Sequence, residues 1–138
     1  MRPSEVFLSH SDKDRAFATR ICDCLIAHGI PIWYSRKSII GARQWHDEIG
    51  AALSRCDAFV VLLSPASVES KWVKRELLFA LQTDRYGNNI VPLLYKPCNY
   101  SELSWTLPQF QIVDFSSDYA SRCRDLLQIW GMGYREDL

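Results

Sequence analysis

The chain has 138 residues, 48% of them apolar and 12% aromatic, which suits one folded domain and excludes a disordered or low-complexity chain. Sixteen Lys and Arg balance sixteen Asp and Glu. Neither nucleic acid nor an anionic membrane is therefore expected as a partner, since both usually leave a basic footprint.

The first apolar run, Glu5–Ser9, predicts a short strand. Ser11, Asp12 and Asp14 offer N-cap chemistry for a helix on which Phe17, Ile21, Cys24/Leu25 and His28 recur about one turn apart. Gly29 closes that helix, and Ile30–Tyr34 reads as a second strand with Pro31 at its start or at a sheet edge. Arg36–Arg43 reads as a loop hinged at Gly41 that carries two large apolar side chains, Ile39 and Ile40. A helix over Gln44–Arg55 has Trp45, Ile49, Ala52 and Leu53 on its apolar face. The unbroken apolar run Ala58–Leu63 predicts a strand covered on both faces, as in a parallel sheet. Ser64-Pro65 starts a turn, and Ser70 caps a helix over Lys71–Thr83. A fourth strand spans Ile90–Tyr95, and Pro97–Leu107 is a loop. Gln111–Phe115 reads as a fifth strand. Asp118 caps a last helix carrying Cys123, Leu126/Leu127 and Trp130. Strands alternating with helices over short connections are the signature of a doubly wound parallel sheet, which binds ligands outside the carboxyl ends of its strands.

Five cysteines, an odd number with one close pair at Cys22 and Cys24, argue against a disulfide framework and read as small buried hydrophobes. The amino terminus lacks a signal peptide's long apolar region, and Ala58–Leu63 falls far short of the ~20 residues of a membrane helix. The cytoplasm is the expected location, with a fragment of a larger, anchored protein left open. No dinucleotide fingerprint, Walker loop or nucleophile elbow is present. His10, His28 and His46 lack metal spacing, so no metal and no cofactor is expected.

The helix after the third strand carries the most chemical information. With Trp72 at zero degrees on a helical wheel, Val73, Leu77, Ala80 and Leu81 fall at about 80–180 degrees and Glu76 at about 40. Glu76 thus borders the apolar stripe beside an indole one turn earlier. On pattern alone the commoner reading is a surface carboxylate paired with Lys74, Arg75 or another base.

The order of VFLSHSDKD (Val6–Asp14), GIPIWYS (Gly29–Ser35), Trp45-x-x-x-Ile49, AFVVLLSPASVESKWVKRELLFAL (Ala58–Leu81) and NIVPLLY (Asn89–Tyr95) resembles the Toll/interleukin-1 receptor (TIR) domain. The most specific pieces are the F-x-S-x-S-x-x-D start and the L-S-x(5)-S-x-W-x-x-x-E-L block. The short loops and the wording of the second block look more like prokaryotic or enzymatic, NAD-cleaving members than like Toll-like receptors. The resemblance implies a three-layer α/β flavodoxin-like fold with a five-stranded parallel sheet, spanning residues 4–132, with 133–138 a tail or the start of a linker.

It also implies two functional classes. One is an NAD⁺ glycohydrolase or ADP-ribosyl cyclase, with NAD⁺ as substrate, acting in immune defence or stress signalling and activated by self-association. The alternative is a non-enzymatic adaptor working through TIR–TIR contacts. For the first class, Glu76 matches the family's catalytic glutamate, and Ser9, His10, Ser11, Gly41, Trp45 and Trp72 match the substrate cleft. Ile39 and Ile40 are the expected self-association residues, and a sensor or effector domain in the same or another chain is a further expected partner. Each match has a plainer reading: Trp45 as core, His10 as a solvated loop residue, Ser9 as a turn cap. Ser35 stands where members often carry Asp, and Ile40-Gly41 where adaptors commonly show Pro-Gly.

Overall fold

The structure, a computed structural model, describes residues 2–34 and 42–137, with residues 42–45 described by backbone alone. Five parallel strands, β1 (Val6–Ser9), β2 (Ile32–Tyr34), β3 (Ala58–Leu63), β4 (Ile90–Leu94) and β5 (Val113–Asp114), form one sheet in the order β2-β1-β3-β4-β5. The helices are α1 (Arg15–Ala27), α2 (Ala42–Arg55), α3 (Pro65–Val68), α4 (Lys71–Leu81) and α5 (Tyr119–Ile129). This is the expected three-layer α/β fold. All six residues of β3 are fully buried, as an apolar run in a sheet covered on both sides requires.

The strand pleat divides the core in two. Val6 and Leu8 of β1 point into a layer with Phe17, Ile21 and Leu25 of α1 and Cys123, Leu126 and Leu127 of α5. Phe7, between them, points into the opposite layer with Ile49, Ala52 and Leu53 of α2 and Val73, Leu77 and Ala80 of α4. Strand order reverses between β1 and β3, the position at which sheets of this kind bind ligands beyond the carboxyl ends of their strands.

Several local expectations are corrected. Ser11 caps not the long helix but a short 3-10 turn, Asp12–Asp14. Ser64-Pro65 begins α3, closed by a reciprocal capping box between Ser64 and Ser67. α4 stops at Leu81 rather than Thr83. The Pro97–Leu107 segment folds a 3-10 turn at Tyr100–Glu102, and a second turn, Leu107–Gln109, delays the start of β5. Of Gln111–Phe115, only Val113 and Asp114 pair as strand with Leu93 and Leu94. Asp118 flanks α5 but makes no side-chain cap bond; its carboxylate accepts instead from Ser121 Oγ at 2.6 Å. Pro31 does precede an edge strand, and Gly29 takes the left-handed conformation, φ 79°, that ends α1. No disulfide joins the five cysteines, all of which lie among the described residues.

Candidate active site

Ser70 accepts from the Val73 amide and fixes where α4 begins. The next turn therefore brings Glu76 onto the side of the helix that faces the sheet, beside the core residues Val73 and Leu77. Glu76 is buried, with 4% of its surface exposed. Its partner is neither Lys74 nor Arg75 but Ser9, at the carboxyl end of β1, whose hydroxyl donates to Glu76 Oε1 at 2.6 Å. Burial pushes the Glu76 carboxyl up to about 7, against the opposing pull of the Ser9 hydroxyl. The surface-carboxylate reading is thus overturned: the wheel placed Glu76 at the border of the stripe, and the sheet edge covers that border.

His10, the next residue after β1, points away from Ser9. It is buried rather than solvated, with its ring 5.9 Å from that of Tyr34 at the end of β2. Among the described residues neither ring nitrogen has a hydrogen-bond partner. Burial, and then the Arg15 guanidinium, hold its pKa below the ordinary imidazole value. Ser11 sits at the start of the 3-10 turn and accepts from the Lys13 amide at 3.3 Å. Trp72 lies one turn before Glu76 and is 37% exposed. The Arg75 guanidinium stands 5.4 Å over its indole, and the His46 ring meets it edge-on at 6.2 Å. His46 is on the first turns of α2, so α2 and α4 approach at this edge. The side chain of Trp45, and Gly41, Ile39 and Ile40 altogether, lie outside the described residues.

A second serine–carboxylate pair stands beside the first. Asp14 is buried, and the Ser64 hydroxyl at the carboxyl end of β3 donates to its Oδ2 at 2.5 Å. Asp14 is the N-cap residue of α1, yet its side chain makes no capping bond to that helix. It reaches the carboxyl end of β3 instead. Ser64 Oγ also accepts from the Ser67 amide at 3.1 Å, which orients its proton toward Asp14. The loop after β1 is therefore pinned at both ends, by Ser9 to α4 and by Asp14 to β3. Neither Asp14 nor Ser64 was a candidate site residue on sequence, although both belong to the two most specific motif pieces. The available signal was two polar residues standing close after apolar runs, Ser64 directly after Leu63 and Asp14 five residues after Ser9.

Among the described residues no three His, Cys, Asp or Glu side chains gather to hold a metal ion. A cavity of about 410 Å³ lies at the other end of the sheet, lined by Asp57, Arg85, Asn89 and Trp130 among others. Its polar groups are occupied by the fold itself. Asp57 accepts from the Ser4 and Glu5 amides, Arg85 donates to the Leu53 and Cys56 carbonyls, and Trp130 Nε1 donates to Asn89. The carboxyl edge, with its buried carboxylate, is the stronger site.

Residues 6–127 match the sequence model of the TIR domain. The chain belongs to the TIR domain family. It is 24% identical over 116 residues to a stimulator of interferon genes protein of Magallana gigas, covering 82% of this chain and 28% of that protein. It is 23% identical over 94 residues to the 2′ cyclic ADP-D-ribose synthase BtTIR of Bacteroides thetaiotaomicron, covering 67% of this chain and 33% of that enzyme. This TIR domain thus spans a third or less of the curated relatives it matches. Among solved structures, the TIR domain of a Toll-related receptor from Hydra magnipapillata superposes with a TM-score of 0.73 at 18% identity, covering 90% of this chain and 95% of that one. A TIR-STING receptor from C. gigas, solved with 2′,3′-cGAMP, gives 0.73 at 22% identity, covering 93% of this chain and 39% of the receptor. At these identities the structural likeness establishes the fold. No helix among the described residues of this TIR domain is long and apolar enough to cross a membrane.

Proposed function

We propose that this TIR domain cleaves the nicotinamide glycosidic bond of NAD⁺, releasing nicotinamide with ADP-ribose or a cyclic ADP-ribose isomer, and that Glu76 is its catalytic carboxylate. The observation that carries the reading is the buried Glu76 carboxylate held by Ser9 at the carboxyl edge of the sheet. The similarity to a cyclic ADP-ribose synthase supports it.

The chemistry asks little more of the protein. Nicotinamide in NAD⁺ is a cationic pyridinium, so it departs as a neutral molecule and no general acid is needed. Positive charge develops on the ribose as the bond breaks, as in glycoside hydrolysis. A carboxylate beside it, in surroundings of low dielectric, stabilises that charge far better than in water. Glu76 in its ionised form supplies it and accepts from the ribose hydroxyls. The Ser9 hydroxyl fixes one oxygen and leaves the other for substrate. Water then gives ADP-ribose, or a second group of the same ADP-ribose closes a ring.

Ser9, His10, Ser11, Gly41, Trp45 and Trp72 are the proposed walls of the substrate cleft. Self-association through Ile39 and Ile40 is the proposed activating event, in a cytoplasmic immune or stress pathway with a sensor or effector domain in the same or another chain. The test is mass spectrometry of concentrated protein incubated with NAD⁺, with Glu76→Ala as control. Nicotinamide with a matching ADP-ribose species is expected from the parent protein alone. No turnover under any crowding or activating condition contradicts the reading.

A second reading, a non-enzymatic adaptor acting through TIR–TIR contacts, has one observation in its favour. α4 presents Leu78 and Phe79 to solvent, 43% and 40% exposed. It predicts partner binding that Glu76 substitutions leave unchanged.

A further inference from the structure

On the face of the sheet opposite Glu76, the chain leaves α5 and turns back to the carboxyl end of α1. Local chemistry sets the turn. Gly131 takes the left-handed conformation, φ 72°, and its amide donates to the Gln128 carbonyl at 2.9 Å. The Met132 amide donates to the Leu127 carbonyl, also at 2.9 Å. This paired closure is the Schellman form of a helix end, and it redirects the chain sharply. Met132 and Tyr134, both partly buried, then pack against the α1–α5 core. The segment lies beyond residues 6–127, so it is an addition to the matched domain.

The contact with α1 is made at His28, which caps that helix. The Tyr134 ring stacks on the His28 ring, with centroids 5.4 Å apart and planes 22° from parallel. The Arg135 amide donates to His28 Nε2 at 2.9 Å, across 107 residues of sequence. His28 Nδ1 lies 2.7 Å from the Cys24 carbonyl. A carbonyl only accepts and a backbone amide only donates. The two bonds together therefore fix one tautomer of the neutral imidazole, with the proton on Nδ1 and the lone pair of Nε2 turned to the tail. A proton on Nε2 would meet the Arg135 N–H donor to donor, and that bond is lost.

Charges of both signs surround the ring. Asp23 of α1 and Glu136 of the tail line the same cavity of about 300 Å³ and favour a protonated ring. Arg20 of α1 and Arg135 of the tail line it too and oppose protonation. So do Arg124 of α5, which acts on Tyr134, and Arg2, whose guanidinium donates to the Gly29 carbonyl at 2.6 Å. The Cys24 thiol and the Tyr119 and Tyr134 hydroxyls, also in the lining, are uncharged at and below neutral pH.

We propose that residues 131–136 form a strap that His28 holds against α1 only in its neutral form, and that protonation of His28 releases the strap. Release takes up one proton, so the ratio of docked to free strap falls by up to about tenfold per pH unit while the ring protonates. Docking is complete on the alkaline side and is lost as pH falls. A free strap removes the Tyr134 and Arg135 wall of the cavity and opens the α1–α5 seam to solvent. The strap lies on the other face from Glu76, so the proposal stands whether or not the domain cleaves NAD⁺.

The experiment is nuclear magnetic resonance of the isotopically labelled protein between about pH 8 and pH 5, the range in which histidines titrate. The His28 ring nitrogens report tautomer and protonation. Solvent exchange of the Arg135 and Met132 amides, corrected for the intrinsic effect of pH, reports the strap and the helix end. At the alkaline end the expected ring is the Nδ1–H tautomer, and the Arg135 amide exchanges roughly tenfold or more slowly than a free amide. Arg135 protection then disappears in step with ring protonation, while the Met132 amide, bonded to a backbone carbonyl, stays protected throughout. His28→Gln keeps a side-chain acceptor that does not titrate, so Arg135 protection in that variant no longer follows pH. An unprotected Arg135 amide at the alkaline end, the Nε2–H tautomer, protection that does not follow the ring, or joint loss at Arg135 and Met132 would overturn the proposal. The measurements on the unsubstituted protein decide it even where the variant fails to fold.

Discussion

The Ser9 hydroxyl donates to Glu76 Oε1 at 2.6 Å across a sequence separation of 67 residues, joining the end of the interior strand β1 to the second turn of α4. Both groups are buried, so the bond is unscreened by solvent. It fixes one carboxylate oxygen beside the point where strand order reverses. The following predictions test how this edge works.

Glu76 makes stability depend on pH with a definite sign. Its carboxyl is raised from 4.5 to about 7 in the folded state, so the native protein binds the proton more tightly than the unfolded chain does. Its contribution is fully favourable below about pH 4.5, and stability is lost as pH rises through 4.5 to 7. Glu76→Gln removes that dependence. Urea unfolding at a series of pH values should show the stability difference between variant and parent moving toward the variant by up to about 3 kcal/mol across this range. A constant difference contradicts a buried, raised carboxyl.

The proposed reaction needs Glu76 ionised. Initial-rate measurements should therefore show kcat/KM for NAD⁺ rising with pH through an apparent pKa near 7. Ser9→Ala removes a hydroxyl that stabilises the ionised form, so it should move that inflection to higher pH and lower kcat/KM near neutrality.

Asp14 and Ser64 should be energetically coupled. Ser64→Ala leaves a buried carboxylate without its hydroxyl partner and should cost roughly 1–3 kcal/mol of stability. A double-mutant cycle with Asp14→Asn, read by denaturant unfolding, should return a coupling energy well above zero. Additive losses would mean that the pair does not hold the loop after β1.

Ile39→Asp and Ile40→Asp separate assembly from chemistry. Both should reduce self-association in sedimentation and reduce NAD⁺ turnover together. Glu76→Gln should abolish turnover while leaving association unchanged. Turnover that persists in strictly monomeric aspartate variants contradicts activation by self-association.

Much of this architecture was legible in the sequence. The unbroken run Ala58–Leu63 announced a central parallel strand, and β3 occupies those six residues. The four-residue β1 and the caps Ser70 and Gly29 were readable for the same reason: local chemistry decides them. The short last strand was less so, because its pairing depends on where a preceding 3-10 turn releases the chain. At the site, helical periodicity put Glu76 at the edge of the apolar stripe but could not say what covered it. That depends on Ser9, a contact distant in sequence. Asp14 read as a helix cap because that is the local bond open to it, and only the folded sheet brings Ser64 within reach.

Nicotinamide release from NAD⁺ by concentrated parent protein and by Glu76→Gln, compared at equal folding and equal self-association, tests the central claim most directly. The account predicts turnover by the parent and a loss on the order of 10²-fold or more in the variant. Equal turnover by the two proteins would contradict it.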